Sequence, residues 1–184
     1  GVGSLINLGI DSWTGLGVQS LSVGTLPGFA RPNGVMFLYA LAFGVAASLV
    51  GWPIKVVSRK LRTAVDPRRL LLTPVVGLGV GLTAVAFSQL TSHGATWVLF
   101  SGQDSLGPLL QQGATWTVGA LALVVVAKAI AYALSLSSFR GGPIFPSLFL
   151  GGAAGVALGH LPGLAMVPAV AMGIGAMSVV MLDL

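Results

Sequence analysis

The sequence predicts an all-α fold, a polytopic transmembrane helical bundle with broken or re-entrant helices. Three observations lead there. Of the 184 residues, 55% are hydrophobic and only 7% are charged, and the mean hydropathy is +0.96; a soluble domain carries about 25% charged residues. Apolar runs long enough to span a bilayer recur along the chain, separated by short polar or glycine- and proline-rich stretches. One apolar stretch is broken at Ser138-Phe139-Arg140-Gly141-Gly142-Pro143-Ile144-Phe145-Pro146. Unpaired backbone in hydrocarbon costs several kcal/mol, so such a break persists only when buried in protein or lining a polar cavity.

Residues 1 to about 10 read as the tail of an apolar helix, and residues 11–31 as a surface connection marked by Asp11, Gly15, Pro27 and Gly28. Residues 33–62 form a long apolar helix with a basic end. It exceeds a hydrocarbon core of roughly 30 Å, so it must tilt or protrude. Pro53 predicts a kink in it or the point where it leaves the membrane. Residues 70–90 are a second span, whose Gly77, Gly79 and Gly81 permit close helix packing. Residues 93–112 are less apolar and read as an outer loop with a short or re-entrant helix. Residues 115–136 are a third span. After the break, residues 143–159 suit a half-helix starting at membrane depth, because seventeen residues are the lower limit for a span. Leu161-Pro162-Gly163 turns the chain into a last apolar segment, residues 167–181. The lack of an initiator Met, and the end just after an apolar run, predict a portion of a larger protein.

The net charge is +5, and six of the nine basic residues fall within residues 55–69: Lys55, Arg59, Lys60, Arg62, Arg68 and Arg69. A local cluster of this size reads as a cytoplasmic loop obeying the positive-inside rule, with a lipid-headgroup site as the sharper alternative; it is too small and local for a nucleic-acid surface. With that loop inside, the third span runs inward and Arg140 lies on the cytoplasmic half. Cysteine is absent. His93 and His160 are isolated, which predicts no metal site, and no cofactor motif is present. Trp13, Trp52, Trp97 and Trp116 fall near span ends, as interfacial tryptophans do. Acid, base and nucleophile do not occur together, so the sequence predicts no enzyme.

The break carries the functional expectation. Proline at a first helical position loses no hydrogen bond, since that N–H has no intrahelical partner. Gly141 and Gly142 admit the chain without a Cβ. A helix starting here aims its leading N–H groups and about half a positive charge into the gap, where the natural guest is an anion. A loop between two ordinary spans fits the same spacing. Gly151, Gly152, Gly155 and Gly159 build a face for close helix contact. Lys128, inside the third span, has three readings: it snorkels, binds a carbonyl-rich helix end, or biases the potential toward anions. Arg140 either follows the charge rule or raises anion concentration near a path.

Gly141-Gly142-Pro143-Ile144-Phe145-Pro146-Ser147-Leu148 resembles the glycine–x–phenylalanine–x–proline segment of the CLC chloride channels and chloride/proton exchangers. Ala127-Lys128-Ala129-Ile130 before Ser135-Leu136-Ser137-Ser138 resembles the helix preceding that segment, and Gly173-Ile174-Gly175-Ala176-Met177 a helix beyond it. The resemblance covers nearly all of residues 1–184 as a partial CLC-type transmembrane domain, with 33–184 mostly from the second of two inverted repeats. It implies chloride transport, as a channel or a proton-coupled exchanger, in a dimer seated in the plasma (inner) membrane. It also implies an anion held by the backbone of Gly141, Gly142, Pro143, Ile144, Phe145 and Pro146, with Arg140 and Lys128 contributing field. Two departures stand out. Phenylalanine comes one place late, at Phe145, and Pro143 lacks the N–H expected there, leaving Ile144 and Phe145 as donors. The chain contains no Glu, and the resemblance places the family's gating glutamate and its coordinating tyrosine outside it. Another inverted-repeat transporter with a discontinuous helix is the alternative; a non-transporting membrane scaffold would need no break.

Overall fold

The computed structural model describes residues 34–139 and 141–184. The expected segments 1–10 and 11–31, Trp13 and Arg140 lie outside them. The described residues form six α-helices joined by short 3-10 turns, without strands. They are α1 (Gly34–Val65), α2 (Arg69–Thr91), α3 (Gln103–Gln112), α4 (Val118–Ser138), α5 (Ile144–Leu158) and α6 (Met166–Leu182).

Helix α1 has 32 residues and continues through Pro53, a length of about 48 Å. The basic cluster is not a loop, as residues 55–69 were expected to be. Lys55 to Arg62 lie on the last turns of α1, and only the 3-10 turn Asp66–Arg68 separates α1 from α2. Nothing between residues 55 and 65 breaks a helix; the first breaker is Pro67, which sits in the turn. Outward-facing Phe37, Leu41 and Leu49 on α1 and Leu70, Leu78 and Leu82 on α2 are all strongly exposed. A continuous apolar exterior of this kind suits hydrocarbon and not water.

Side-chain ties fix which helix ends lie together. At one end Arg69 Nη2 donates to Ser138 O at 3.1 Å, joining the start of α2 to the end of α4. At that same end Lys55 pairs with Asp183, just past α6. At the other end Tyr39 Oη donates to Pro162 O at 3.1 Å, in the turn between α5 and α6. Gly163 in that turn has φ +82°, a conformation glycine adopts without strain. Helices α1, α4 and α6 therefore run one way and α2 and α5 the other, and the basic corner and the end of α4 share one face of the bundle.

The main core joins Phe87 of α2, Leu106 and Leu109 of α3, Leu121 and Val124 of α4, and Phe149 and Val156 of α5. Helices α5 and α6 interlock through glycine. Gly151 and Gly173 meet backbone to backbone, and a Cβ at Gly155 would lie 2.5 Å from Val170 Cα and 2.7 Å from Ala169 O. Gly152 serves α3 instead, where a Cβ would lie 2.7 Å from Leu106 Cδ1. The glycines of α2 do not pack this way. A Cβ at Gly81 would meet nothing within 4 Å, and one at Gly79 only Leu134 Cδ1 at 3.4 Å.

Candidate functional site

The interruption survives in the structure as residues 139–143, between α4 and α5. Phe139 leaves α4 in extended backbone, φ −102° and ψ 148°. Pro143 stands just before the first helical residue and not at it, in right-handed conformation with φ −78° and ψ −13°. The ladder begins with Ser147 N–H donating to Pro143 O at 3.1 Å. Residues ahead of Ser147 have no partner within the helix, and prolines at 143 and 146 have no N–H at all. Among the described residues no side chain caps this end. The backbone donors it offers are Ile144 and Phe145. Among the described residues Gly141 and Gly142 relieve no crowding: a Cβ at either would meet none of them within 4 Å, and neither has positive φ.

The space beside them belongs to a cavity of about 520 Å³. Gly141, Gly142, Ile144, Phe145 and Pro146 form one side. Lys128, Tyr132 and Ser135 of α4 form another, and Phe100 and Ser101 reach it from the segment between α2 and α3. Residues 128, 132 and 135 are spaced i, i+4, i+7, one face of a helix. Among the described residues no Asp or Glu lines the cavity, and Lys128 is its one charged side chain. By contrast, the groove between α1 and α4, lined by Leu49, Val57 and Ile130, is wholly apolar.

Lys128 sits at the midpoint of α4 and is 1% exposed. Its Nζ donates to the carbonyls of Val98 at 3.0 Å, Leu99 at 2.9 Å and Phe100 at 3.0 Å. These carbonyls follow the 3-10 turn Ala95–Trp97, so a cation meets a carbonyl-rich helix end, one of the readings open from sequence. The segment thus descends to mid-span, as a re-entrant piece does. An ammonium has three N–H donors, and all are used. Lys128 therefore supplies field to the cavity but no hydrogen bond to a guest, and its burial rules out snorkelling. Phe100 has φ +59° without being glycine, a strained conformation that the Lys128 bond to its carbonyl helps to hold. Below it, Nζ lies 5.0 Å from the Phe149 ring centroid, within cation–π range. The same ring packs against Gly102, where φ is +85° and a Cβ would lie 2.8 Å from Phe149 Cβ.

The histidines serve local structure. His93 Nδ1 lies 2.8 Å from Thr91 O and His160 Nδ1 2.9 Å from Val156 O. Trp97 and Trp116 meet edge to face, and the His93 ring lies tilted against Trp116, instead of facing outward; Trp52 alone of the described tryptophans is strongly exposed. Tyr132, a wall residue of the cavity, was not singled out from the sequence. Its signal was a polar aromatic four residues after a buried lysine in an otherwise apolar helix.

The family model described as "Voltage gated chloride channel" matches residues 3–182. The chain belongs to this family. Its members are integral membrane proteins that transport chloride, and the all-helical fold with an apolar exterior agrees with membership. Comparison with curated proteins and with solved structures returned no match.

Proposed function

We propose that residues 141–146 form part of the chloride pathway, with the anion held by the N–H groups of Ile144 and Phe145 at the start of α5. The observation that carries this reading is convergence on one cavity. An uncapped helix start and a buried lysine face the same space, and no described carboxylate opposes them. Partial charges suit permeation, because the anion must bind well enough to shed water and weakly enough to leave. Lys128 adds a full positive charge whose donors are occupied, so it attracts the anion without trapping it. Passive channel conduction and proton-coupled exchange would use this site in the same way. In this reading residues 33–184 are mostly a second inverted repeat, a first repeat supplies the other half of the site, and the whole is a homodimer in the plasma membrane. The shared face that bears the basic corner is cytoplasmic in this reading.

The test is chloride efflux from liposomes holding the full-length protein. Gly142→Val places bulk in the cavity where nothing stands within 4 Å, so it should cut flux more than about tenfold while the protein stays folded. Wild-type flux in a folded variant rejects the site.

A further inference from the structure

Helices α1 and α2 leave the basic turn Asp66–Arg68 and scarcely touch each other, while both pack along α4. Between α1 and α4 lies the apolar groove of about 300 Å³, lined by Leu49, Pro53 and Val57 on one side and Val126, Ile130 and Leu134 on the other. Leu49, Val57, Val126 and Ile130 are exposed, so among the described residues nothing covers it. Both walls run toward the basic end. On α1, residues 53, 57 and 60 are spaced i, i+4, i+7, which puts Lys60 one turn past Val57 on the groove's side of the helix. Arg59 and Arg62 belong to other faces of α1. On α4, Ser138 stands one turn past Leu134, and its carbonyl accepts from Arg69 Nη2 at 3.1 Å. Lys60 and Arg69 therefore flank the same end of the groove.

These two cations are available. Both residues are exposed. Lys60 makes no hydrogen bond or ion pair among the described residues, and Arg69 commits to Ser138 only one Nη2 donor of a guanidinium that has five. Lys55, by contrast, is paired with Asp183, and Arg59 Nε donates to Lys55 O at 3.2 Å. Asp66 is the one carboxylate among residues 55–69, against six basic residues.

We propose that this groove and its basic end bind an anionic phospholipid, with an acyl chain in the groove and the headgroup phosphate between Lys60 and Arg69. Charge complementarity selects the occupant. A zwitterionic lipid fits the apolar walls equally well but brings no net charge to the two cations. A packed protein helix would cover the walls and leave Lys60 and Arg69 without a counter-charge. Seven residues of helix separate Pro53 from Lys60, about 10 Å, a distance one lipid covers from its upper acyl chain to its phosphate. A guanidinium suits a phosphate because its fork of donors matches two oxygens at once. The lysine stem can lie along the apolar wall while its ammonium stays at headgroup level. The site is separate from the cavity at the start of α5 and does not depend on chloride binding there.

The test is thermal melting of the full-length protein in detergent, titrated with phosphatidylglycerol or with phosphatidylcholine of the same acyl chains. A ligand that binds only the folded state raises Tm as it saturates. Phosphatidylglycerol should half-saturate at a concentration at least about fivefold below phosphatidylcholine. Lys60→Gln should raise the half-saturating phosphatidylglycerol concentration about fivefold, the usual loss for one cation at an anionic lipid surface, and leave the phosphatidylcholine titration unchanged. Arg62→Gln removes the same charge from another face of α1 and should shift the phosphatidylglycerol titration by less than about twofold, because an exposed charge away from the contact is screened. Each shift is read against the same protein before lipid is added, so any change in basal stability cancels. Equal wild-type titrations with the two lipids overturn the headgroup contact and the proposal with it. Equal weakening by Lys60→Gln and Arg62→Gln shows diffuse surface charge in place of a site, and also overturns it. Inorganic phosphate that raises Tm in wild type but not in Lys60→Gln assigns the two cations to free phosphate and overturns the lipid.

Discussion

Glycine does opposite work in two adjoining regions of this molecule. Along α5 and α6, Gly151, Gly155 and Gly173 are filled spaces, where a Cβ would strike backbone of the facing helix. A few residues earlier, Gly141 and Gly142 are open spaces, where a Cβ would meet none of the described residues within 4 Å. The first set holds two helices at contact distance without a hydrophobic force between them, as membranes require. The second leaves room at the start of α5, beside the cavity that Lys128, Tyr132 and Ser135 also line. A glycine in a membrane helix is thus informative only together with what stands opposite it.

The largest effect should come from filling the closed set. Gly151→Val forces a branched side chain into the backbone of residue 173, and backbone cannot move aside as a side chain can. The loss should exceed about 3 kcal/mol, read as disappearance of the monodisperse peak in size-exclusion chromatography. A well-behaved Gly151→Val protein would mean that α5 and α6 are not locked as described. Next comes Lys128→Met, which tests the node beneath the open set. It orphans three carbonyls at about 1–3 kcal/mol each, offset in part by removal of a buried charge, for a net loss of about 3 kcal/mol. Melting temperature should fall together with chloride flux; a drop in flux alone would recast Lys128 as purely electrostatic.

Gly142→Val should do the reverse, sharply lowering flux while Tm changes by an amount equivalent to about 0.5 kcal/mol or less, as at an open site. The contrast between Gly142→Val and Gly151→Val is the direct check on the comparison, since both add the same side chain. The smallest effect belongs to Gly81→Ala. This glycine lies inside α2 with nothing within 4 Å, so alanine should stabilise by about 0.4–1 kcal/mol through lost freedom of the unfolded chain. A destabilised Gly81→Ala would indicate a packing partner against α2 beyond the described residues.

The sequence showed the break and the glycine face of residues 151–159, and the structure keeps both. The glycines of α2 permit close packing, but among the described residues no helix backbone meets them, because spacing reveals that a face is smooth and not whether another helix covers it. Residues 55–69 were expected to be a cytoplasmic loop because the positive-inside rule places clustered Lys and Arg in the segments between spans. In a bilayer a helix can extend past the hydrocarbon and carry its charges on its last turns. Pro143 was placed one residue too far inside the helix, since its fixed φ fits both the position before a helix and the first position within it.

Composition, span lengths, the position of the break and the family follow from the sequence alone, because hydropathy and helix-breaking are properties of local stretches and survive without knowledge of neighbours. The partners of Lys128 and the division of glycines into closed and open depend on which surfaces face one another. A lysine in a span has several ways to satisfy its charge, and the choice was made only when the backbone of residues 98–100 descended beside it. Once the three N–H groups of Lys128 are committed to carbonyls, the lysine has none left for a guest in the cavity beside it.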